Sequence, residues 1–451
     1  MRTMTSSARA LAARAGAVAL AMPMLLGGAV PASAPVLAHA MTPAIGSGAQ
    51  YEPLGTAEDM GIVHFGCQLA SPPTCYGPDQ IYDAYNIKSV LEAGFTGTGR
   101  TIVIIDAFQS PTLLTDLARF DFLWNLPAPT LKVIVPWSPT NTPTPFDPLD
   151  GSQVNWSAEI SIDVEWAHAI APGAAIDLVL AKSAADADML SVTKYAIDRN
   201  LGDVISQSFG EAERCADPQL IQQEHALFGE ASDKGITLFA SSGDQGAAQQ
   251  TCDGSSFSSS ASTPASDPDV TAVGGTRLTT AGTNGAYQSE SAWSTGLGAT
   301  GGGFSAIYRR PGYQAPLQDN NKQRGVPDVA FDGDATNSGV ITVWSVLAAP
   351  NKFMYWRFGG TSAGSPQWAG IVALADQKGG QRLGAINKSV YHIGKSEAYG
   401  AAFHDVTAGD SGCNVVACKG VFVQGFTATP GWDAATGLGT PDVAHLIPLL
   451  L

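Results

Sequence analysis

The chain has 451 residues, 45% hydrophobic and only 14% charged, with a formal net charge of -16 and a pI near 4.7. That length allows a large core in one to three domains. The acidic balance leaves no basic face for a nucleic acid, which excludes that class of partner.

Residues 1–40 read as a secretory signal. Arg2, Arg9 and Arg14 open it, an apolar stretch follows to about Val30, and Ala38-His39-Ala40 is a small-residue cleavage pattern. An uncleaved membrane anchor is the alternative, but the stretch is short and interrupted by Gly and Pro; no later run is long enough to cross a bilayer. Residues 41–78 form a Gly- and Pro-rich extended lead-in, tied down by a Cys67–Cys75 loop. Cys413 and Cys418 form a second close pair and leave Cys215 with Cys252, the favoured set among 15 possible pairings. No Cys/His spacing points to zinc.

The globular body starts near Asp79 and runs to 451. Continuous apolar runs at 101–106, 131–135, 176–180, 204–206 and 236–240 read as buried strands. Helical patterns at 113–126, 156–171, 184–200 and 218–234 separate them. Strands alternating with helices predict a parallel sheet covered on both faces. A strand and turn follow at 270–276, then Gly301-Gly302-Gly303-Phe304-Ser305, read as a flexible surface loop or a substrate-facing one. A strand pair, 340–346 and 353–358, leads into Gly359-Gly360-Thr361-Ser362-Ala363-Gly364-Ser365-Pro366, and a last short helix starts at Asp442. No internal repeat is evident, so one large domain is expected.

The Ser362 stretch can set a hydroxyl at the exposed start of a helix, where backbone N–H groups point at the group under attack; a Gly/Ser turn capping a buried helix is the bland reading. A nucleophile needs a base, a group holding that base and a site for the oxyanion. The seven histidines are His39, His64, His168, His225, His392, His404 and His445. None lies in a catalytic-type turn, and His168 reads as structural. Carboxylates are offered instead. Glu159 and Asp163 stand four apart on one helical face; sharing a proton would raise one pKa, whereas a solvated acidic face is the alternative. Asp244, after a strand in Ser241-Ser242-Gly243-Asp244, sits where α/β sites lie, or is a turn residue. Asp106 ends the strand 101–106.

In that order, the Glu159/Asp163 helix, the Asp244 turn and the serine stretch resemble the sedolisin family of serine-carboxyl peptidases. So do Tyr76-Gly77-Pro78, Ala171-Pro172-Gly173-Ala174, Ser206-Gln207-Ser208-Phe209-Gly210, Pro264-Ala265-Ser266, Ala272-Val273-Gly274-Gly275-Thr276 and Val326-Pro327-Asp328-Val329. The resemblance implies a subtilisin-like α/β fold, mostly parallel, with a calcium-binding C-terminal region. It implies a secreted, extracellular endopeptidase working in acid on protein or peptide substrates, with no membrane attachment after signal cleavage, and a monomer is expected. Ser362 is then the nucleophile, Glu159 the base, Asp163 the acid that orients it and shares its proton, and Asp244 the oxyanion-hole acid. The Ser362 N–H is the second oxyanion donor, and Asp106 supports the network.

Near the tail, Asp405-Val406-Thr407-Ala408-Gly409 and Thr429-Pro430-Gly431-Trp432-Asp433 also resemble the family. They imply one structural calcium ion, held by the carboxylates of Asp405 and Asp433 and the carbonyls of Val406, Thr429 and Gly431, with water. Thr429 stands where glycine is common. Ser262 stands where some relatives carry an acid that favours basic side chains, which weakly disfavours that preference. Family members usually carry a long N-terminal propeptide, whereas 41–78 is short. Two other readings are a Ser–His–Asp peptidase built on Asp106 and Ser362, and a secreted binding protein on the same scaffold.

Overall fold

A computed structural model of the chain describes residues 42–43, 51–55, 65–318 and 321–451. The signal 1–40, its cleavage pattern and His64 lie outside the described residues. Among the described residues no helix is long and apolar enough to cross a membrane.

The apolar runs become strands: β1 (Thr101–Ala107), β2 (Thr130–Ile134), β3 (Ala175–Ala181), β4 (Val204–Gln207) and β5 (Thr237–Ser241). The long β6 (Thr271–Thr280) follows, then β7 (Tyr287–Ala292) and β8 (Val329–Asp332). Across the sheet they lie in the order β7-β6-β5-β4-β1-β3-β2, with β8 also paired to β6. Every pairing is parallel except that of β6 with β7.

Parallel strands need crossovers that cover both faces, and β1 shows the result residue by residue. Ile102 and Ile104 join one apolar core, Val103 and Ile105 the other. The first core packs against the helices Gly151–Ile170 (α1) and Thr361–Gly379 (α2), the second against Asp186–Asp198 (α3) and Pro218–Asp233 (α4). α1 begins at Gly151, five residues before the apolar pattern starts at Trp156, because the Asp150 side chain accepts the Ser152 N–H at 2.9 Å and caps it.

All three disulfides join the expected cysteines: Cys67–Cys75, Cys215–Cys252 and Cys413–Cys418. The strand pair also forms, as Gly339–Val343 antiparallel to Tyr355–Phe358. The lead-in is held by more than its disulfide. Tyr51–Gly55 adds to that pair antiparallel to Tyr355–Phe358, with the Tyr51 ring against Trp344, Trp356 and Phe358. The surface-loop reading of 301–305 gives way: Gly301, Gly302 and Gly303 are buried. A Cβ on Gly301 would lie 2.1 Å from the Ser242 carbonyl oxygen, so glycine here serves close backbone approach beside Asp244.

Candidate active site

Ser362 is the second residue of α2 and is buried. The turn that delivers it needs glycine at position 360. Its φ is +93°, and a Cβ there would lie 2.5 Å from Asp244 Oδ2. Being at a helix start, the Ser362 N–H has no intrahelical acceptor, and among the described residues it donates to none.

The carboxylates converge on this serine. Glu159 and Asp163 lie on α1, Asp106 near the C-terminal end of β1, and Asp244 just after β5, and all four are buried. The solvated-face reading of Glu159 and Asp163 is therefore set aside. Burial pushes the Glu159 carboxyl well above its ordinary range; the Asp163 charge adds to the rise and the Ser362 hydroxyl opposes it. That hydroxyl faces Glu159 without closing a formed hydrogen bond, and both Glu159 oxygens lack a partner. Such contacts often tighten only when substrate binds. Asp163 is raised by burial and restrained by Ser208, whose hydroxyl donates to Oδ1 at 2.8 Å. Asp106 is raised by burial and then by Asp163, and both its oxygens are unpartnered. Among the described residues no cation enters this row of acids, so it titrates as one system and keeps protons that exposed carboxyls would lose.

Asp244 is tied to Thr361, the residue before the serine. Burial lifts its carboxyl to about 7, against the opposing hydrogen bonds of Thr361. Oδ1 accepts the Thr361 N–H at 2.8 Å and the Thr361 hydroxyl at 2.9 Å, whereas Oδ2 has no partner. A proton on this carboxyl therefore sits on Oδ2, free to be donated.

The described histidines serve elsewhere. His168 Nε2 lies 2.9 Å from the Pro127 carbonyl and 3.2 Å from Asp121. His225 pairs with Asp267, His445 with Asp442, and His404 stacks on Tyr287; His392 is exposed. Spacing alone assigns no role to Ser208 or Thr361. The signal was present: each is a hydroxyl residue within a quoted motif.

At the tail, Asp405 and Asp433 meet through the 429–433 loop. The Gly431 N–H donates to both Asp405 oxygens, at 3.2 and 3.0 Å, and the Thr429 N–H to Asp433 Oδ2 at 2.9 Å. Asp433 Oδ1 accepts the N–H groups of Ala435 and Thr436, each at 2.8 Å. Among the described residues the carbonyls of Val406, Thr429 and Gly431 accept no hydrogen bond. Two carboxylates with three free carbonyls form an all-oxygen donor set, and it fits calcium. The Thr429 side chain is exposed, so threonine is accommodated there. A different cluster, His225, Asp267 and Asp269, brings ligand-type atoms within 4.8 Å of one another; it adds a histidine nitrogen, so it lacks the all-oxygen donor set of the tail.

The profile of the Subtilase family matches residues 157–387. Kumamolisin of a Bacillus species is 31% identical over 393 residues, covering 85% of this chain and 65% of its own. Sedolisin of a Pseudomonas species is 34% identical over 265 residues, covering 56% and 41%. Pseudomonas sedolisin complexed with pseudo-iodotyrostatin has a similar structure, with a TM-score of 0.71 at 28% identity, covering 83% of this chain and 97% of that one. The chain belongs to the sedolisin family. A lanthipeptide protease, with a TM-score of 0.50 at 14% identity, is similar in fold alone. The matched region is less than two thirds of the length of kumamolisin and of sedolisin, 65% and 41%.

Proposed function

We propose that this chain is a secreted, acid-active serine-carboxyl endopeptidase that cleaves protein and peptide substrates through an acyl-enzyme on Ser362. The observation that supports the reading is the buried row Glu159–Asp163–Asp106 with Glu159 at the serine, and Asp244 held by Thr361 next to it.

Burial and mutual repulsion hold protons on this row beyond the ordinary carboxyl range, so once one proton has left, a single negative charge is shared within it. With that charge on Glu159, the carboxylate takes the proton from Ser362 Oγ as the oxygen attacks the peptide carbonyl. Asp163, positioned by Ser208, holds a proton toward Glu159. The carbonyl oxygen becomes an oxyanion. The Ser362 N–H at the helix start and the Asp244 Oδ2 proton stabilise it. Glu159 returns its proton to the leaving amine, and water then releases the acyl group by the reverse path. Asp244 donates only while protonated, so activity ends as pH rises through about 7.

Asp405, Asp433 and the carbonyls of Val406, Thr429 and Gly431 would hold one calcium ion, which supplies charge that fastens two tail loops. No catalytic step passes through it.

The test is digestion of a denatured protein at acid pH. The Ser362→Ala, Glu159→Gln and Asp163→Asn chains should each lose it. If they digest as well as the parent, the mechanism is wrong.

A further inference from the structure

Between Asp405-Val406 and the 429–433 loop the chain makes an excursion whose root braces the Asp244 turn. The Ser411 carbonyl accepts the Ala247 N–H at 2.8 Å and leaves no room for a Cβ on Gly246. Ala299 completes the brace: its N–H donates to the Asp244 carbonyl at 3.0 Å, and its carbonyl accepts the Gly246 N–H at 2.9 Å. Beyond the root, Cys413 pairs antiparallel with Val423, each N–H donating to the other's carbonyl at 3.0 Å. The Cys413–Cys418 disulfide closes the tip, and the Asn414 side chain donates to the Thr295 carbonyl. Both cysteines are buried beside Ala248, with Phe257 and Val421 packed on them.

The tip thus has a small core of its own, yet it leaves Val415, Val416 and Phe422 outside, 55%, 65% and 60% exposed. Leu297, on the segment that Asn414 holds, is 37% exposed. Charge is scarce here. Lys419 is the only charged residue between Asp410 and Asp433, and none lies between Glu290 and Arg309. An apolar strip joins this tip to the site. The Gly301 N–H donates to the Gly243 carbonyl at 2.7 Å. Phe304, three residues on, meets the Phe426 ring edge-on at 5.6 Å, and the Phe426 carbonyl accepts the Ser411 N–H at 2.9 Å. Apolar side chains exposed singly need no account, but a stapled group of them, nearly without charge and built against a reactive turn, marks a binding surface.

We propose that the stapled loop Cys413–Val423, with Leu297, is an exosite that holds an apolar stretch of an unfolded polypeptide substrate, outside the residues flanking the cleaved bond. This rests on the peptidase reading above. Two valines, a leucine and a phenylalanine recognise apolar area rather than a particular sequence. A folded protein hides such area, whereas an unfolded chain lying in the site displays it. Held at a second point, that chain presents its scissile bond at a raised local concentration. The exosite therefore lowers KM for long substrates and leaves the chemical step alone.

The test compares two substrates in acid: reduced, alkylated lactalbumin and a short fluorogenic peptide spanning only the residues around its cleaved bond. The variant carries Val415→Ser, Val416→Ser and Phe422→Ser, all outside the small core. Its KM for lactalbumin should rise about tenfold, as expected when a few apolar side chains are no longer buried by the substrate. Its kcat should hold, and both constants for the short peptide should match the parent. A control with Leu114→Ser and Phe122→Ser, 68% and 69% exposed on the helix Leu113–Trp124, should behave as the parent on both substrates. Binding is read separately in chains that also carry Ser362→Ala, by anisotropy of fluorescein-labelled lactalbumin, and the triple change should weaken it by the same factor. An unchanged KM for lactalbumin overturns the proposal. So does an equal loss on both substrates, which would make the loop only a support of the Asp244 turn, or an equal loss in the control. If sedimentation shows parent dimers that the triple variant lacks, a second copy covers the loop and the proposal falls. If the parent hydrolyses neither substrate yet the triple change still weakens lactalbumin binding, the peptidase reading fails and the polypeptide-binding surface stands.

Discussion

Two groups of buried acids in this molecule are treated in opposite ways. Asp328 is fully buried, and Arg324 donates to both its oxygens, at 2.8 and 2.5 Å. The Ala272 N–H and the Tyr391 hydroxyl add bonds at 2.8 and 2.9 Å. Glu159, Asp163 and Asp106 are just as buried, yet among the described residues only one oxygen in the row, Asp163 Oδ1, has a formed bond. The first group is a satisfied ion pair, costly to break and chemically idle. The second keeps its acids short of partners, so the rise in proton affinity that burial and the neighbouring acids cause is left unopposed beside a serine. Burial is shared; what separates structure from chemistry is the supply of partners.

Exchanging one residue in each group should therefore give opposite results. Glu159→Gln removes the base and should lower kcat/KM about 10³-fold, with no loss of melting temperature, since an unsatisfied carboxyl has gone. Arg324→Met leaves Asp328 buried without its cation and should cost about 3–5 kcal/mol of stability by denaturant unfolding, with the pH profile of hydrolysis unchanged. If Arg324→Met reshaped that profile, or Glu159→Gln unfolded the chain, the contrast between the groups would be lost.

A smaller effect concerns the calcium loops, where backbone N–H groups already cover the carboxylates. Chelation should lower the melting temperature by several degrees, about the effect of losing a tightly bound ligand. No change on adding a chelator would remove the ion from the account of the tail. Smaller again is a pH effect on stability. Asp244 ordinarily titrates at 3.8 and is lifted by burial to about 7, and burial lifts Glu224 to about 8. For such groups the folded chain keeps protons that the unfolded chain has lost. Stability is full below the ordinary carboxyl range and falls as pH rises through the folded values. The melting temperature should be higher at pH 4 than at pH 8, and the reverse order would contradict the burial of these acids.

Much of this was legible in the residues. The run Thr101–Ala107 has to be an interior strand, because apolar side chains on both faces of a sheet need cover on both. The start of α1 was not, since residues 151–155 carry no apolar stripe and the cap at Asp150 acts through one hydrogen bond. The spacing of Glu159 and Asp163 suits a solvated face as well as a buried pair. Their neighbours Ile160, Ile162, Val164 and Trp166 go round the helix and were the better sign, since a helix apolar on all sides is buried. Gly301 was read by composition as a loop residue, and composition is blind to backbone approaching backbone. The pairing of Thr42–Pro43 with Phe209–Gly210 depends on contacts between residues far apart in the chain, which no local pattern records.

The most direct test is kcat/KM against pH for hydrolysis of one peptide by the parent chain and by Asp244→Asn. The parent should give a bell with its maximum in acid and an alkaline limb falling near pH 7, where Asp244 loses its proton. In Asp244→Asn the amide donates at any pH, so that limb should move up or vanish while the acid limb of the Glu159 row stays. A parent maximum at neutral or alkaline pH, or an alkaline limb that Asp244→Asn leaves in place, would contradict a serine activated by carboxyl groups with a protonated acid at its oxyanion site.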